Sequence, residues 1–167
     1  MRLIFCLLVS LLSTSASAQS FLDVTTVPYP DRFDFLIGEW QYETSAASGS
    51  ASYTKSEASG VVTEHIDGIV GSQAFVGLSM FVFNDEESET IKQDWFDSLG
   101  NHLSNTVTFG TYDQSDVPVP IAEFTHQGNR FRHIWFEITE DRFMTDLLME
   151  NDSGTFVVVR HMPYVRM

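Results

Sequence analysis

Apolar and polar positions along the chain alternate with a period near two, in short runs rich in β-branched and aromatic residues. Glycine, asparagine, aspartate and serine cut these runs apart, as expected of strands joined by turns. The first run is Glu39–Thr44, entered through residues 33–38 as one helical turn. Ser50–Ala58 and Val61–Asp67 follow, with Ser59-Gly60 as a tight hairpin between them. Ala74–Asn84 and Thr90–Asp97 flank an acidic tip, Asp85-Glu86-Glu87-Ser88-Glu89. A turn over Asp97–Asn101 leads into Leu103–Tyr112, and a longer loop, Asp113–Pro120, precedes Ile121–His126. Gln127-Gly128-Asn129 opens Arg130–Ile138; Glu140-Asp141 leads into Arg142–Glu150, and Asp152-Ser153-Gly154 into Thr155–Met162. No segment carries an apolar helical stripe three turns long. The pattern predicts an all-β fold, a single closed antiparallel up-and-down barrel of about eight to ten strands.

Several strands are apolar on both faces. In Arg130–Ile138 one face holds Phe131, His133 and Trp135, and the other Ile134, Phe136 and Ile138. A helix or loops packed outside the barrel, or a second copy in a homodimer, would cover such a face.

The amino end departs from this alternation. Arg2, the apolar stretch Leu3–Leu12 and the small residues Ala16-Ser17-Ala18 have the order of a secretory signal cleaved before Gln19. The division expected is a signal at 1–18, an extended lead-in at 19–32 held by Pro28 and Pro30, and the barrel at 33–167. The apolar stretch is shorter than the ~20 residues that span a bilayer, so no membrane insertion is expected. Cys6 is the sole cysteine; taking 18 residues from 167 leaves 149 with none, which removes thiolate chemistry, cysteine-zinc sites and disulfides. With 23 acidic against 9 basic residues the net charge is −14, which excludes a nucleic-acid partner for want of a basic face. Aromatic residues make up 13% of the chain, enough for a packed interior without a disulfide.

Candidate chemistry sits on the strands. Gln93, Trp95 and Asp97 share one face of one strand; turned inward, they offer a ligand an indole flanked by an amide and a carboxylate. Trp135 is the aromatic that would face Trp95 across the barrel. Arg130 and Arg132 share a face and could neutralise Asp97 or a ligand carboxylate, or lie at the surface. Glu64 shares its face with Val62 and Ile66; inward it would have a raised pKa and serve as a general acid or base, outward it would be solvated. Asp97 and His133 are the other acid–base candidates. None of the five histidines has zinc-ligand spacing, and the 85–89 tip lacks the glycine and regular oxygen spacing of a calcium loop, so no metal is expected.

Phe33-Asp34-Phe35-Leu36-Ile37-Gly38-Glu39-Trp40 resembles the opening motif of a bacterial family of lipocalin-like barrels of unknown function. Gln93-Asp94-Trp95-Phe96-Asp97 before Gly100, and Ile134–Thr139 before Asp141-Arg142-Phe143, are similar to its later features. The resemblance implies a calycin-type, usually exported barrel with no agreed activity. Gly38-x-Trp40 is also similar to the Gly-x-Trp of lipocalins, where an arginine from the last strand covers the tryptophan; that likeness points to Arg160. A more distant likeness to nitrobindin-type haem barrels makes His161 the haem-ligand candidate, although the second half of their opening motif is absent here.

The expected protein is therefore a periplasmic or secreted lipocalin-like barrel that binds a small, largely apolar or aromatic molecule without a cofactor. A cofactor-independent enzyme working in the same cavity, a haem barrel, and a filled barrel acting as an interaction module are the alternatives.

Overall fold

A computed structural model of the chain describes residues 20–29, 31–85 and 90–167. The signal segment, its cleavage point and most of the acidic tip lie outside these residues. Ten strands form one sheet: β1 (Gly38–Glu43), β2 (Ala47–Lys55), β3 (Val62–Val70), β4 (Gln73–Asp85), β5 (Thr90–Asp97), β6 (His102–Tyr112), β7 (Ser115–His126), β8 (Asn129–Phe136), β9 (Arg142–Glu150) and β10 (Phe156–Arg166). Each pairs antiparallel with its neighbours in sequence, and β1 pairs with β10 to close an up-and-down barrel. Closure is brief, over Trp40–Arg166, Gln41–Val165 and Tyr42–Tyr164 only. Among the described residues no helix is long and apolar enough to cross a membrane.

One end of the barrel is plugged. Val24–Thr26 forms a 3₁₀ turn where the sequence predicts an extended lead-in, and Asp31–Leu36 forms a 3₁₀ turn over most of the helical turn expected at 33–38, starting two residues earlier. Val24, Phe33 and Leu36 from these turns are fully buried, packed with Trp40, Phe81 and Trp135. Val27, which precedes Pro28, stays extended at φ −81° and ψ 136°, so the first turn closes before the proline restriction applies, and burial of Val24 draws it into the core. Arg166, not Arg160, covers the Trp40 ring, its guanidinium carbon 4.2 Å from the centroid. It also donates to the carbonyls of Ile37 (2.8 Å), Phe35 (3.3 Å) and Glu140 (2.6 Å), tying the plug to the last strand. Gly38, at φ +132°, makes this possible, because a Cβ there would lie 2.4 Å from Arg166 Nη1.

β7 begins at Ser115, inside the expected loop, despite Pro118 and Pro120. Pairing with β8 starts only at Ile121, so the proline-bearing stretch has one free flank and need not donate on that side. Ile134 and Phe136 point outward, as the two-faced pattern requires. They are buried in a second cluster with Val119 and Leu148, against Tyr112 and Phe156 of the same chain. That local packing covers the outer apolar face of β8 without a second copy.

Candidate functional site

The half of the barrel away from the plug is not filled. A cavity of about 320 Å³ lies between the walls, open toward the hairpins 44–46, 71–72 and 98–101. Its lining contains Gln93, Trp95, Asp97, Glu64 and His133, five residues that strand alternation brings to the inner face from three different strands. Apolar wall comes from Phe75, Leu103, Phe124, Phe131, Leu147 and Met162.

Trp95 forms part of the wall. It stacks on Phe75 with centroids 6.1 Å apart and planes 20° from parallel. Gly77 on β4 leaves room for it, since a Cβ there would be 2.5 Å from the indole edge. The indole N–H donates to Asp97 Oδ2 at 3.1 Å. Asp97 also accepts from the Leu99 and Asn101 backbone N–H groups and from the Asn101 side chain, all at 2.9–3.1 Å. Partial burial works to raise its pKa, but these bonds outweigh it and hold the carboxyl below its usual range. Asp97 thus stays ionised and is occupied in building its own turn.

Deeper lies a polar row. Strand register sets Glu64 between Tyr53 on β2 and Ser79 on β4, and the Tyr53 hydroxyl donates to the Glu64 carboxylate. Burial pushes Glu64 up to about 7, against the hydrogen bonds from Tyr53 and Ser79, which pull it down. Gln93 Nε2 donates to Ser79 Oγ at 3.1 Å, and Asn105 Nδ2 donates to Gln93 Oε1 at 3.3 Å. The Asn105 Oδ1 atom is buried with no hydrogen-bond partner among the described residues. His133 lies 4.1 Å from the Trp135 ring, centroid to centroid. Burial, with a smaller push from Arg160, lowers it to about 4, so it is neutral at physiological pH.

Other candidates lie elsewhere. Trp135 does not face Trp95: it is fully buried below the cavity, edge-on to Phe33 and Phe81 in the plugged half. Alternation puts it inside but says nothing of depth. Arg130 and Arg132 are on the outer wall, paired with Glu150 (2.9 Å) and Glu123 (2.6 Å) and lying against the Phe156 ring, away from Asp97. His161 also points outward; its Nδ1 meets the buried Asp146 carboxylate at 2.5 Å, and Tyr112 donates to the same carboxylate. A haem in the cavity would not find that ring. Arg160 was expected at the base and instead lines the cavity.

Tyr53, Ser79, Asn105 and Arg160 are the site-forming residues that sequence reasoning misses. The first three surround Glu64 or Gln93 through register, and a correct register is the signal that would have found them. Among the described residues no group of three or more histidine, cysteine or acidic side chains is placed to hold a metal ion. No protein-family model matches the chain, and no curated protein matches it either. The class defined here is a closed ten-stranded β-barrel, compatible with ligand binding.

Proposed function

We propose that this protein is a lipocalin-like carrier that holds a small, largely apolar molecule in the unplugged half of its barrel. The observation that carries the reading is the cavity itself, about 320 Å³ with mostly apolar walls and a few convergent polar groups. That volume falls in the range of small-molecule sites and equals the liquid share of about ten waters. We also propose, on the signal-like first 18 residues, that the carrier is exported and belongs with the bacterial barrels its opening motif resembles. Amino-terminal sequencing of the exported protein should begin at Gln19; an intact Met1 would refute the address.

Trp95 is the reporter of occupancy, because Trp40 and Trp135 are buried in the plugged half. Titration with the neutral hydrophobe N-phenyl-1-naphthylamine should quench tryptophan emission in the wild type and in Trp135→Phe, but not in Trp95→Phe. Trp95→Ala should weaken binding by about 1–3 kcal/mol, roughly five- to 150-fold, through lost aromatic burial. Quenching that survives in Trp95→Phe and disappears in Trp135→Phe would move the site out of this cavity.

A second reading, a cofactor-independent enzyme, is favoured by one observation: a cavity-lining carboxyl, Glu64, poised near neutrality at about 7. Glu64 would take or give a proton at a carbon or oxygen of the bound molecule, with neutral His133 as a hydrogen-bonding partner. Solvent deuterium exchange into a bound ligand, lost in Glu64→Gln with binding retained, would establish it; binding without exchange leaves the carrier.

A further inference from the structure

Resting on the carrier reading, we infer that the bound molecule is a carboxylic acid with a hydroxyl or N–H at its inner end. Arg160 takes the carboxylate, and Asn105 Oδ1 accepts from the inner donor.

The first half of the argument is charge. Lys55, Arg130, Arg132 and Arg142 each sit on a carboxylate, and Arg166 is spent on three backbone carbonyls. Arg160 is the one arginine or lysine lining the cavity, and no described residue forms a hydrogen bond or ion pair with it. This happens in a chain with 23 acidic residues. The cavity's own acids do not neutralise it. Asp97 is saturated by its turn, and Glu64 is held by Tyr53 and Ser79. Arg160 is exposed where it lines the cavity, and its planar guanidinium matches the two oxygens of a carboxylate.

The second half is hydrogen-bond direction. Ser79 Oγ accepts from Gln93 Nε2 at 3.1 Å. Gln93 therefore turns its NH₂ to Ser79 and its carbonyl to Asn105, which donates through Nδ2. The row runs one way, and its free end is a carbonyl oxygen. Asn105 is 6% exposed and lines the cavity, so that oxygen is a buried acceptor requiring a donor. A purely apolar guest would leave it unpaired.

The test is displacement of N-phenyl-1-naphthylamine by 3-(4-hydroxyphenyl)propionate, its methyl ester, and 3-phenylpropionate. In the wild type the hydroxy acid should displace about tenfold better than its ester, and about two- to tenfold better than the acid lacking the hydroxyl. Arg160→Gln should erase the preference over the ester, and Asn105→Ala the preference for the hydroxyl, while both still bind the naphthylamine. If the naphthylamine binds but the ester competes as well as the acid, or Arg160→Gln keeps the preference, the inference fails and the carrier reading survives. If the naphthylamine does not bind the wild type at all, both fail together.

Discussion

Trp40→Ala should lower the unfolding free energy by about 3–5 kcal/mol, the usual cost of truncating a large buried aromatic residue. The ring has no solvent exposure and meets Phe143 edge-on at 4.7 Å. Its N–H donates to the Leu36 carbonyl at 2.6 Å, and Leu36 is itself fully buried. Trp40→Phe keeps most of the apolar area but orphans that carbonyl, so it should lose about 1–3 kcal/mol. The two variants separate the ring's burial from the bond that fixes the plug. Urea unfolding followed by circular dichroism reads both. A loss below about 1 kcal/mol for Trp40→Ala would mean that the plugged end does not depend on this residue.

The barrel is legible because period-two alternation, punctuated by turn residues, survives along nearly the whole chain. β5 and β9 have the boundaries their sequence predicts, Thr90–Asp97 and Arg142–Glu150. The errors fall where tertiary contacts override local chemistry. Pro118 and Pro120 read as loop, yet a strand flank without a partner tolerates them. The residues before Asp31 read as extended, yet Val24 is drawn into the core. β10 runs four residues past its expected end, to Arg166, and carries a bulge between Val158 and Arg160. With the strand extended, Arg166 rather than Arg160 reaches the barrel base.

Site residues are legible by face and illegible by neighbour. Gln93, Trp95 and Asp97 share the inner face because alternation within one strand needs no register. Glu64's partners do need it. A two-residue turn at Ser59-Gly60 would place Glu64 opposite Lys55; the actual connection runs from Ser56 to Val61 and places it opposite Tyr53. In the β7–β8 hairpin, Gln127 (φ +50°) and Gly128 (φ +82°) form the whole turn. That sets Phe124 opposite Phe131, where a turn at Gly128-Asn129 would give His133. Displacements of this kind, by even numbers of residues, keep every side chain on its face while exchanging its cross-strand partners.

Glu64→Gln should be worth about 3 kcal/mol more to stability at pH 8 than at pH 4, relative to the wild type. In the fold Glu64 titrates at about 7, against 4.5 for the free side chain. Between those values the folded protein holds more protons than the unfolded chain, so the Glu64 contribution declines as pH rises through the window. His133 acts in the opposite sense. Its fold value of about 4 lies below the free 6.5, so the unfolded chain holds more protons between them and stability falls as pH drops. The windows overlap between pH 4.5 and 6.5, and there the two slopes nearly cancel. The wild type should therefore show almost no pH dependence from this pair in that range. Glu64→Gln, left with His133 alone, should gain stability as pH rises from 4 to 6.5, and His133→Gln, left with Glu64, should lose it from 4.5 to 7. Lost hydrogen bonds would shift either variant by a constant, which the pH comparison removes. Urea unfolding at pH 4, 5.5 and 8 reads the effect. A Glu64→Gln difference that stays flat across that series would mean that the carboxyl ionises as freely inside the barrel as outside.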